Sequence, residues 1–403
     1  MTATDNDTPL APPLSERSET SIRLADFSSL AALRSEPHTE LGKVNLQDAN
    51  ELRLLLRGES VVDWFRLDFE SEQDARRLLA LNAFDWDNED DRARVELLRA
   101  NAAEYIQRVL NLHLDEVVAH RASFLELPLM ASARSGTKRQ QRNACMLLKV
   151  MHILHHLDAR ELRTRLALSD SELFESVEQS VIQIFDQLQA SGAPVVEFQW
   201  SRKTRHSLLT KMLVKRETSA ARVFDRLRFR LIVKDQDDLV PTLQTMLRKL
   251  IPFNYVVPGQ TVNTLVDPSE LAGYGPSRLS TTEGRAADRN EFSGANFRII
   301  NFIADLPVRV DDFVAPEELD NDRGKIVFVL AEFQLIDAKT AKSNETGESS
   351  HEAYKNRQHA RVRERMMRLP SKGKSAAPDP VDDDTSGSVV EEDGALSRVL
   401  QAD

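Results

Sequence analysis

The spacing of apolar residues changes at Gly192, and this change constrains the fold more than any other feature of the chain. From about residue 45 to 190, apolar residues recur every three or four positions, which is the period of an amphipathic helix. After Gly192, apolar and polar residues alternate in short runs, as in strands that bury one face. The sequence therefore predicts an α+β fold, with an N-terminal helical domain followed by a mixed five-stranded sheet flanked by helices.

The clearest helix lies directly before the change. The segment SDSELFESVEQSVIQIFDQLQASG begins with Ser169 or Asp170, either of which can act as an N-cap, and it ends at Gly192, which readily closes a helix. We assign residues 21–190 to the helical domain. Residues 1–20 are polar and contain prolines, so we expect them to be disordered.

Five segments have the composition of strands, and helical segments separate them. The strands are predicted at 195–200, 226–234, 253–257, 297–308 and 326–336, with helices at 206–218, 237–250 and 349–369. These elements define a second domain over residues 191–368. Residues 259–295 form a long loop rich in Gly, Ser and Thr, which we interpret as a lid or a disordered segment. The charged tail from 369 to 403 is expected to be unstructured.

Bulk composition limits the partners of the chain. The formal net charge of −11 over 403 residues argues against a general nucleic-acid coat, yet residues 201–230 hold ten Lys and Arg against Glu217 and Asp225. Such a local patch suggests a small anionic ligand or a tRNA end. The single cysteine, Cys145, excludes a disulfide framework, and no segment is typical of a signal peptide or membrane span. We expect a soluble, cytoplasmic protein with no membrane partner.

A basic segment begins the second domain. Lys203, Arg205, Lys211 and Lys215 follow at roughly helical spacing, and Ser207 is predicted at the helix start, where free backbone N–H groups favour a phosphate. One interpretation is a triphosphate cradle. The other is a solvated basic face with Ser207 as an ordinary N-cap.

The next strand begins with an acid. Asp225 precedes an apolar run and Arg230 follows five positions later; a carboxylate there can ligate Mg²⁺. In an uninterrupted strand this offset puts the two side chains on opposite faces, so Asp225 must lie at a strand edge or bulge if both line one site. Alternatively, Asp225 pairs with Arg222 or Arg226.

The last strand carries a second acid. Glu332 is embedded in VFVLAEFQLI, where a buried acid without a partner is costly, and Gln334 faces the same side. Glu332 is either a metal ligand, a general base, or a residue on a half-exposed face. On the preceding strand, Phe297 is either a surface that stacks on a nucleobase, with Arg298 beside it, or part of the core.

In their order along the chain, these segments resemble the synthetase domain of the RelA/SpoT family. Lys203, Ser207 and Lys211 match the family's first block of Lys, Ser and Lys at four-residue spacing. Asp225 and Arg230 match its Asp-x-x-x-x-Arg strand. The segments NFRIIN and EFQLID are similar to its Gly-Tyr-Arg-Ser-Leu-His and Glu-x-Gln-Ile-Arg-Thr strands, and His351, Tyr354 and Lys355 echo a trailing His-x-x-Tyr-Lys. The similarity covers about 160 residues.

This resemblance implies a nucleotidyltransferase-like fold and pyrophosphate transfer from ATP to a ribose 3′-hydroxyl. It implies that Asp225 and Glu332 hold Mg²⁺ and act in catalysis. The nucleotide would be bound by the remaining site residues: Lys203, Arg205, Ser207, Lys211, Lys215, Arg230, Phe297, Arg298 and Gln334. The acceptor would be GDP or GTP, which yields a ppGpp-type alarmone, or the 3′ end of tRNA.

The chain also departs from the family pattern. Phe297 replaces a Tyr, Asn301 replaces a His, and Ile336 and Asp337 stand where the family has Arg and Thr. A Pro-Lys-x-Asn segment is replaced by the 259–295 insertion. We therefore interpret the chain as a divergent member.

Three other functions are compatible with parts of the sequence. The first is a catalytically inactive module that senses nucleotides on the same fold, and the second is a helical scaffold whose tails recruit partners. The third is a metal-dependent His-Asp hydrolase centre in MHILHHLD, which offers His152, His155, His156 and Asp158. Because no His-Asp dipeptide accompanies these histidines, we interpret them as ordinary helix residues.

Overall fold

A computed structural model describes residues 21–22, 46–58, 64–190, 192–215, 226–269, 271, 296–311, 313–319, 323–346 and 351–367. The chain divides into a compact unit that ends at Val362 and a C-terminal unit that begins at Arg363. In the first unit, the helices and the sheet contribute to one hydrophobic core. The change from helix to strand lies near residue 191, as expected, while its role as a domain boundary stays a prediction.

The N-terminal region is helical, as the apolar spacing predicts. Its helices are α1 (Leu46–Arg57), α2 (Glu72–Leu81), α3 (Glu89–Glu104), α4 (Glu126–Ala131), α5 (Lys138–Arg165) and α6 (Asp170–Ala190). Ser169 caps α6: its Oγ accepts from the N–H of Glu172 at 3.2 Å, and Glu172 Oε2 accepts from the N–H of Ser169 at 2.8 Å. Gly192 follows with φ +80°, so both predicted ends of this helix are confirmed.

The sheet is mixed, which confirms the predicted fold class. Its strands are β1 (Ser21–Ile22), β2 (Val195–Arg202), β3 (Leu227–Val233), β4 (Val262–Asn263), β5 (Ile300–Arg309) and β6 (Ile326–Asp337). Their order across the sheet is β1-β2-β3-β6-β5-β4. β3 and β6 run parallel, and the other neighbours are antiparallel. The described sheet has six strands rather than five: four of the predicted strands are present, and β1 and β4, two residues each, are too short to produce an alternating pattern in the sequence.

After β2, the described residues include the helices α7 (Arg205–Lys215), α8 (Leu239–Lys249), α9 (Ala338–Asn344) and α10 (His351–Met367). Among the described residues, no helix has the length and apolar character needed to cross a membrane.

One face of the sheet carries a row of four buried phenylalanines. Phe198, Phe229, Phe333 and Phe302 come from four adjacent strands, and all are at most 3% exposed. Their ring centroids lie 6.1, 5.3 and 5.5 Å apart in that order, and the rings are stacked. Because side chains alternate along a strand, burial of this face leaves the residues between these phenylalanines on the opposite face.

The strand predicted at 253–257 is wrong. Phe253–Tyr255 form a 3-10 turn after Pro252, and Val256 makes one isolated bridge to Ala304. All of residues 253–256 are buried, which an alternating strand with one solvated face does not allow. The turn directs Phe253 toward Trp64 and Phe69, while Tyr255 contacts α5.

The beginning of the predicted 259–295 loop is ordered against the sheet. β4 pairs with Ile300 and Asn301 of β5, and Thr264 exchanges hydrogen bonds with the backbone of Ile299. Its remainder, from 272 to 295, lies outside the described residues, as do the predicted disordered segment 1–20 and the tail from 369.

α5 contacts the 253–255 turn through His152 and the sheet through His155 and His156. The ring pairs are His152–Tyr255 at 4.5 Å, His155–Phe84 at 5.0 Å, His155–Phe328 at 5.3 Å and His156–Phe328 at 5.1 Å. His156 Nε2 also lies 2.8 Å from Asp305 Oδ2. Within the described residues, no group of three or more His, Cys, Asp or Glu could hold a metal ion. The ring contacts show that these histidines pack the helical region against the turn and the sheet.

This packing makes stability depend on pH. Burial lowers the pKa of His155 to about 3, with the charge of Arg94 acting in the same direction, and burial lowers the pKa of His152 to about 4. Below the ordinary value of 6.5, the unfolded chain binds protons that the folded protein excludes. The contribution of both histidines to stability is therefore fully present above pH 6.5 and is lost as the pH falls.

Replacing His155 with Leu should reduce this dependence. Neither ring nitrogen of His155 hydrogen-bonds to a described residue, so Leu removes a group that must stay neutral without removing a hydrogen bond. Between pH 7.5 and pH 5.0, we expect the wild type to lose about 1–2 kcal/mol more unfolding free energy than His155→Leu. Urea unfolding at the two pH values measures this difference. The exposed His113→Leu is the control, and equal losses in wild type and His155→Leu would contradict the prediction.

Candidate functional site

The face of the sheet opposite the phenylalanines carries a polar cluster. Strand register brings Arg228 beside Glu332, and Arg230 beside Gln334, across the parallel β3–β6 pair. On the other side of β6, Asn301 of β5 is the register partner of Gln334. We call these five residues the polar face. Three of them, Arg230, Glu332 and Gln334, were predicted as site residues, so the fold brings them together.

Glu332 lies at the centre of the polar face and receives three hydrogen bonds. Arg228 Nε donates to Glu332 Oε2 at 2.5 Å. Asn301 Nδ2 and Gln334 Nε2 donate to Glu332 Oε1 at 2.9 and 3.2 Å. Both carboxylate oxygens are therefore occupied by donors, one of which carries a full positive charge.

Burial explains why these contacts matter. Glu332 is 5% exposed, and an isolated carboxylate at that depth would be strongly disfavoured. The Arg228 side chain is 30% exposed, so one side of the ion pair reaches solvent. The pair neutralises the buried charge and fixes the direction of the carboxylate within the sheet.

The basic segment leaves the sheet close to this cluster. Lys203 follows β2 directly, and its N–H donates to the carbonyl of Arg226 at 2.8 Å. The N-cap of α7 is Thr204, whose Oγ1 accepts from the N–H of Ser207 at 3.3 Å. The interpretation of Ser207 as the N-cap is therefore wrong, because Thr204 already provides the β-hydroxyl that caps the helix. Ser207 stays in the first turn and accepts a hydrogen bond from Thr204 at 3.0 Å.

The other predicted cations of this segment lie on α7. Arg205 is its first residue and is exposed, and Lys211 is half-buried. Lys215 is its last residue, and its side chain is not described. Asp225 lies outside the described residues, so its convergence with Glu332 stays a prediction.

Phe297 and Arg298 do not lie on a strand, which corrects the prediction. β5 begins at Ile300, and the backbone of Arg298 is held by Asn344 instead of a neighbouring strand. The N–H of Arg298 donates to Asn344 Oδ1 at 3.2 Å, and Asn344 Nδ2 donates to the carbonyl of Arg298 at 2.7 Å. These two bonds replace ladder bonds. They leave Arg298 exposed and Phe297 half-buried at the end of the sheet.

The polar face, with the hydrogen bonds that Glu332 accepts in this structure, does not fit a divalent cation. Mg²⁺ binds oxygen ligands, and Glu332, Gln334 and Asn301 offer such atoms. However, both oxygens of Glu332 already accept hydrogen bonds, and the guanidinium of Arg228 lies against the carboxylate where a cation would have to approach.

Two residues of the polar face were not among the predicted site residues. The sequence suggested Arg230 but not Arg228, although both alternate with apolar residues in LRFRLIV and a two-residue period puts them on one face. Asn301 was noted only as a departure from a family pattern. Its position opposite Gln334 depends on strand register, which the sequence did not provide.

The comparisons with known proteins gave structural neighbours alone. No protein-family model matches the chain, and no curated protein matches it. Small alarmone synthetase 1 from Bacillus subtilis, bound to its product pppGpp, is 12% identical with a TM-score of 0.28, covering 48% of this chain and 94% of its own. Small alarmone synthetase 2 from the same organism is 14% identical with a TM-score of 0.27, covering 51% and 94%.

A GTP pyrophosphokinase family protein from Streptococcus pneumoniae is also similar. It is 14% identical with a TM-score of 0.28, covering 49% of this chain and 88% of its own. With TM-scores below 0.5, these similarities carry no argument about the site. These neighbours are two alarmone synthetases and a GTP pyrophosphokinase family protein. They are of the kind that the sequence segments resemble, the RelA/SpoT synthetases.

Proposed function

We propose that this protein transfers a pyrophosphate group from ATP to the 3′-hydroxyl of a ribose. The observation that carries the proposal is the environment of Glu332, an acid buried in a sheet and held by three hydrogen bonds between two strands that carry cationic and amide side chains. Any acid at this depth needs such partners, and the same three contacts also fix the direction of the carboxylate, as a base that must meet a hydroxyl requires.

The chemistry assigns a distinct role to each group. The 3′-oxygen of the acceptor forms a bond to the β-phosphorus of ATP, and the bond from that phosphorus to the α,β-bridging oxygen breaks. AMP leaves with the electron pair, and the hydroxyl proton moves to the carboxylate of Glu332. Arg230, with Lys203 and Lys211 of the basic segment, would offset the phosphate charge. Mg²⁺ at Asp225 and Glu332 stays a prediction.

The acceptor is a guanine nucleotide, GDP or GTP, which gives a ppGpp-type alarmone, or the 3′ end of tRNA. The basic character of residues 201–230 supports an anionic ligand of either kind in a chain whose net charge is −11. A cytoplasmic setting is part of the proposal, because ATP and both acceptors are cytoplasmic molecules.

A catalytically inactive nucleotide-binding module on the same fold is the second candidate. The specific observation that favours it is the ion pair between Arg228 and Glu332, which occupies the proposed base with a fixed cation. Such a module would keep the phosphate-binding cations and use nucleotide binding as a signal.

Parallel reactions with ATP labelled at two different phosphorus atoms test the proposed function. Purified protein is incubated with Mg²⁺, one acceptor at a time, and ATP labelled at either the γ- or the α-phosphorus. Pyrophosphate transfer moves the γ label to GDP, GTP or tRNA, while the α label appears in AMP. Label in ADP would indicate single-phosphate transfer or hydrolysis instead. If nucleotides raise the melting temperature while no acceptor is labelled, the inactive module is the better description.

A further inference from the structure

Glu332, the central acid of the polar face, is paired with a cationic side chain of the protein, Arg228. Arg228 and Glu332 lie 104 positions apart in sequence, and the parallel pairing of β3 with β6 makes them direct neighbours. The Nε to Oε2 distance of 2.5 Å is that of a charge-assisted hydrogen bond. The Glu332 side chain is 7% exposed, so little room remains for a second cation on that oxygen.

We infer that Arg228 takes the place of a divalent cation at Glu332, so that the nucleotide-free protein has no divalent-cation site on the polar face until Arg228 is removed or displaced. A guanidinium and a doubly charged ion on one buried carboxylate would repel each other at short range, where solvent screening is weak. This inference rests on the proposed function in treating Glu332 as the centre of the site.

Removal of the guanidinium would leave a set of oxygen ligands. Glu332 would present its Oε2, and the carbonyl oxygen of Gln334 lies on the same face. The amide of Asn301 is oriented by its donation to Glu332, and its Oδ1 is buried without a hydrogen bond from any described residue. Carboxylate and amide oxygens are the ligands that Mg²⁺ and Mn²⁺ accept.

Manganese binding in the absence of nucleotide tests the inference. Mn²⁺ is titrated into the full-length protein, and free ion is followed by electron paramagnetic resonance. The variants are Arg228→Ala, Arg228→Gln, Glu332→Gln and the double variant Arg228→Ala/Glu332→Gln. Arg226→Ala is the matched control, because Arg226 lies two positions away and pairs with Asp170 instead of Glu332.

We expect Arg228→Ala to bind one Mn²⁺ at least about tenfold more tightly than wild type or Arg226→Ala, and the double variant to lose that gain. Mn²⁺ should also raise the melting temperature of Arg228→Ala but not of wild type, since the ion would replace the lost counter-charge. Arg228→Gln should gain binding as well. The glutamine keeps a hydrogen-bond donor beside Glu332 without the charge. This variant tests the inference if the alanine variant does not fold.

Two results would overturn the inference. One is Mn²⁺ binding by wild type as tight as that of Arg228→Ala and abolished by Glu332→Gln alone. The other is a folded Arg228→Ala or Arg228→Gln with no gain in binding. Because no nucleotide is present, a failed transfer assay and a failed cation titration are separate outcomes.

Discussion

The Glu332→Gln variant should transfer pyrophosphate about 10²–10⁴-fold more slowly than wild type. Glutamine keeps the shape of the side chain and one carbonyl acceptor, but it does not take a proton from the attacking hydroxyl. If Glu332 is the base, the variant should have a lower kcat, while its apparent KM for ATP should change much less. Initial rates with γ-labelled ATP at several ATP concentrations separate these two parameters.

The control for this variant is another acid on the same side of the sheet. Glu197 of β2 faces that side and accepts from Gln199 Nε2 at 2.6 Å, and it is not part of the polar face. Glu197→Gln should retain the wild-type rate. Melting temperatures of both variants show whether Glu332→Gln is folded, since the amide removes the negative charge of the ion pair with Arg228. A folded Glu332→Gln with unchanged kcat would exclude Glu332 as the base.

Arg248→Met should destabilise the protein by about 3–5 kcal/mol. Arg248 of α8 donates from both Nε and Nη2 to Asp48 of α1, with Nε to Oδ1 at 2.8 Å. Asp48 is 2% exposed, so loss of the guanidinium leaves a buried carboxylate with a longer ion pair to Arg77 at 3.9 Å. Gln244 Nε2 still donates to Asp48 at 2.8 Å, which places the expected cost toward the lower end of that range. Chemical unfolding in urea measures the change.

Two further variants separate the buried charge from ordinary surface effects. Arg108 pairs with Glu104 on an exposed helix face, with side chains 78% and 57% exposed, so Arg108→Met should cost less than about 1 kcal/mol. The double variant Asp48→Asn/Arg248→Met should be more stable than Arg248→Met alone, because it no longer buries a carboxylate that has lost its closest cation. A cost for Arg248→Met no larger than for Arg108→Met would contradict the role of this pair in joining α1 to α8.

Local sequence patterns predicted those elements whose own residues carry the information. α6 has its cap at Ser169, its apolar stripe and Gly192 within one continuous segment. β2, β3, β5 and β6 have apolar residues at every second position or throughout, because their aromatic faces are buried. These features act over a few residues, so a pattern in the sequence can contain them.

The errors arise where contacts distant in sequence override local preference. The segment 253–257 is rich in strand-forming residues, yet burial of Phe253 and Tyr255 against different parts of the core favours a turn. Phe297 lies outside β5 because the amide of Asn344 binds the backbone of its neighbour Arg298. Propensity carries no information about such partners.

From the sequence alone follow the α+β class, the position where helices give way to strands, and the presence of Arg230, Glu332 and Gln334 on strands, since the apolar period is a local property. Only the tertiary structure decided which groups surround Glu332. Arg228 and Asn301 reach it because β6 lies between β3 and β5, and that order depends on the packing of the whole sheet. Which charged side chains meet at the site depends on strands that are distant in sequence. For that reason the sequence predicted the acid of the site but not the arginine that pairs with it.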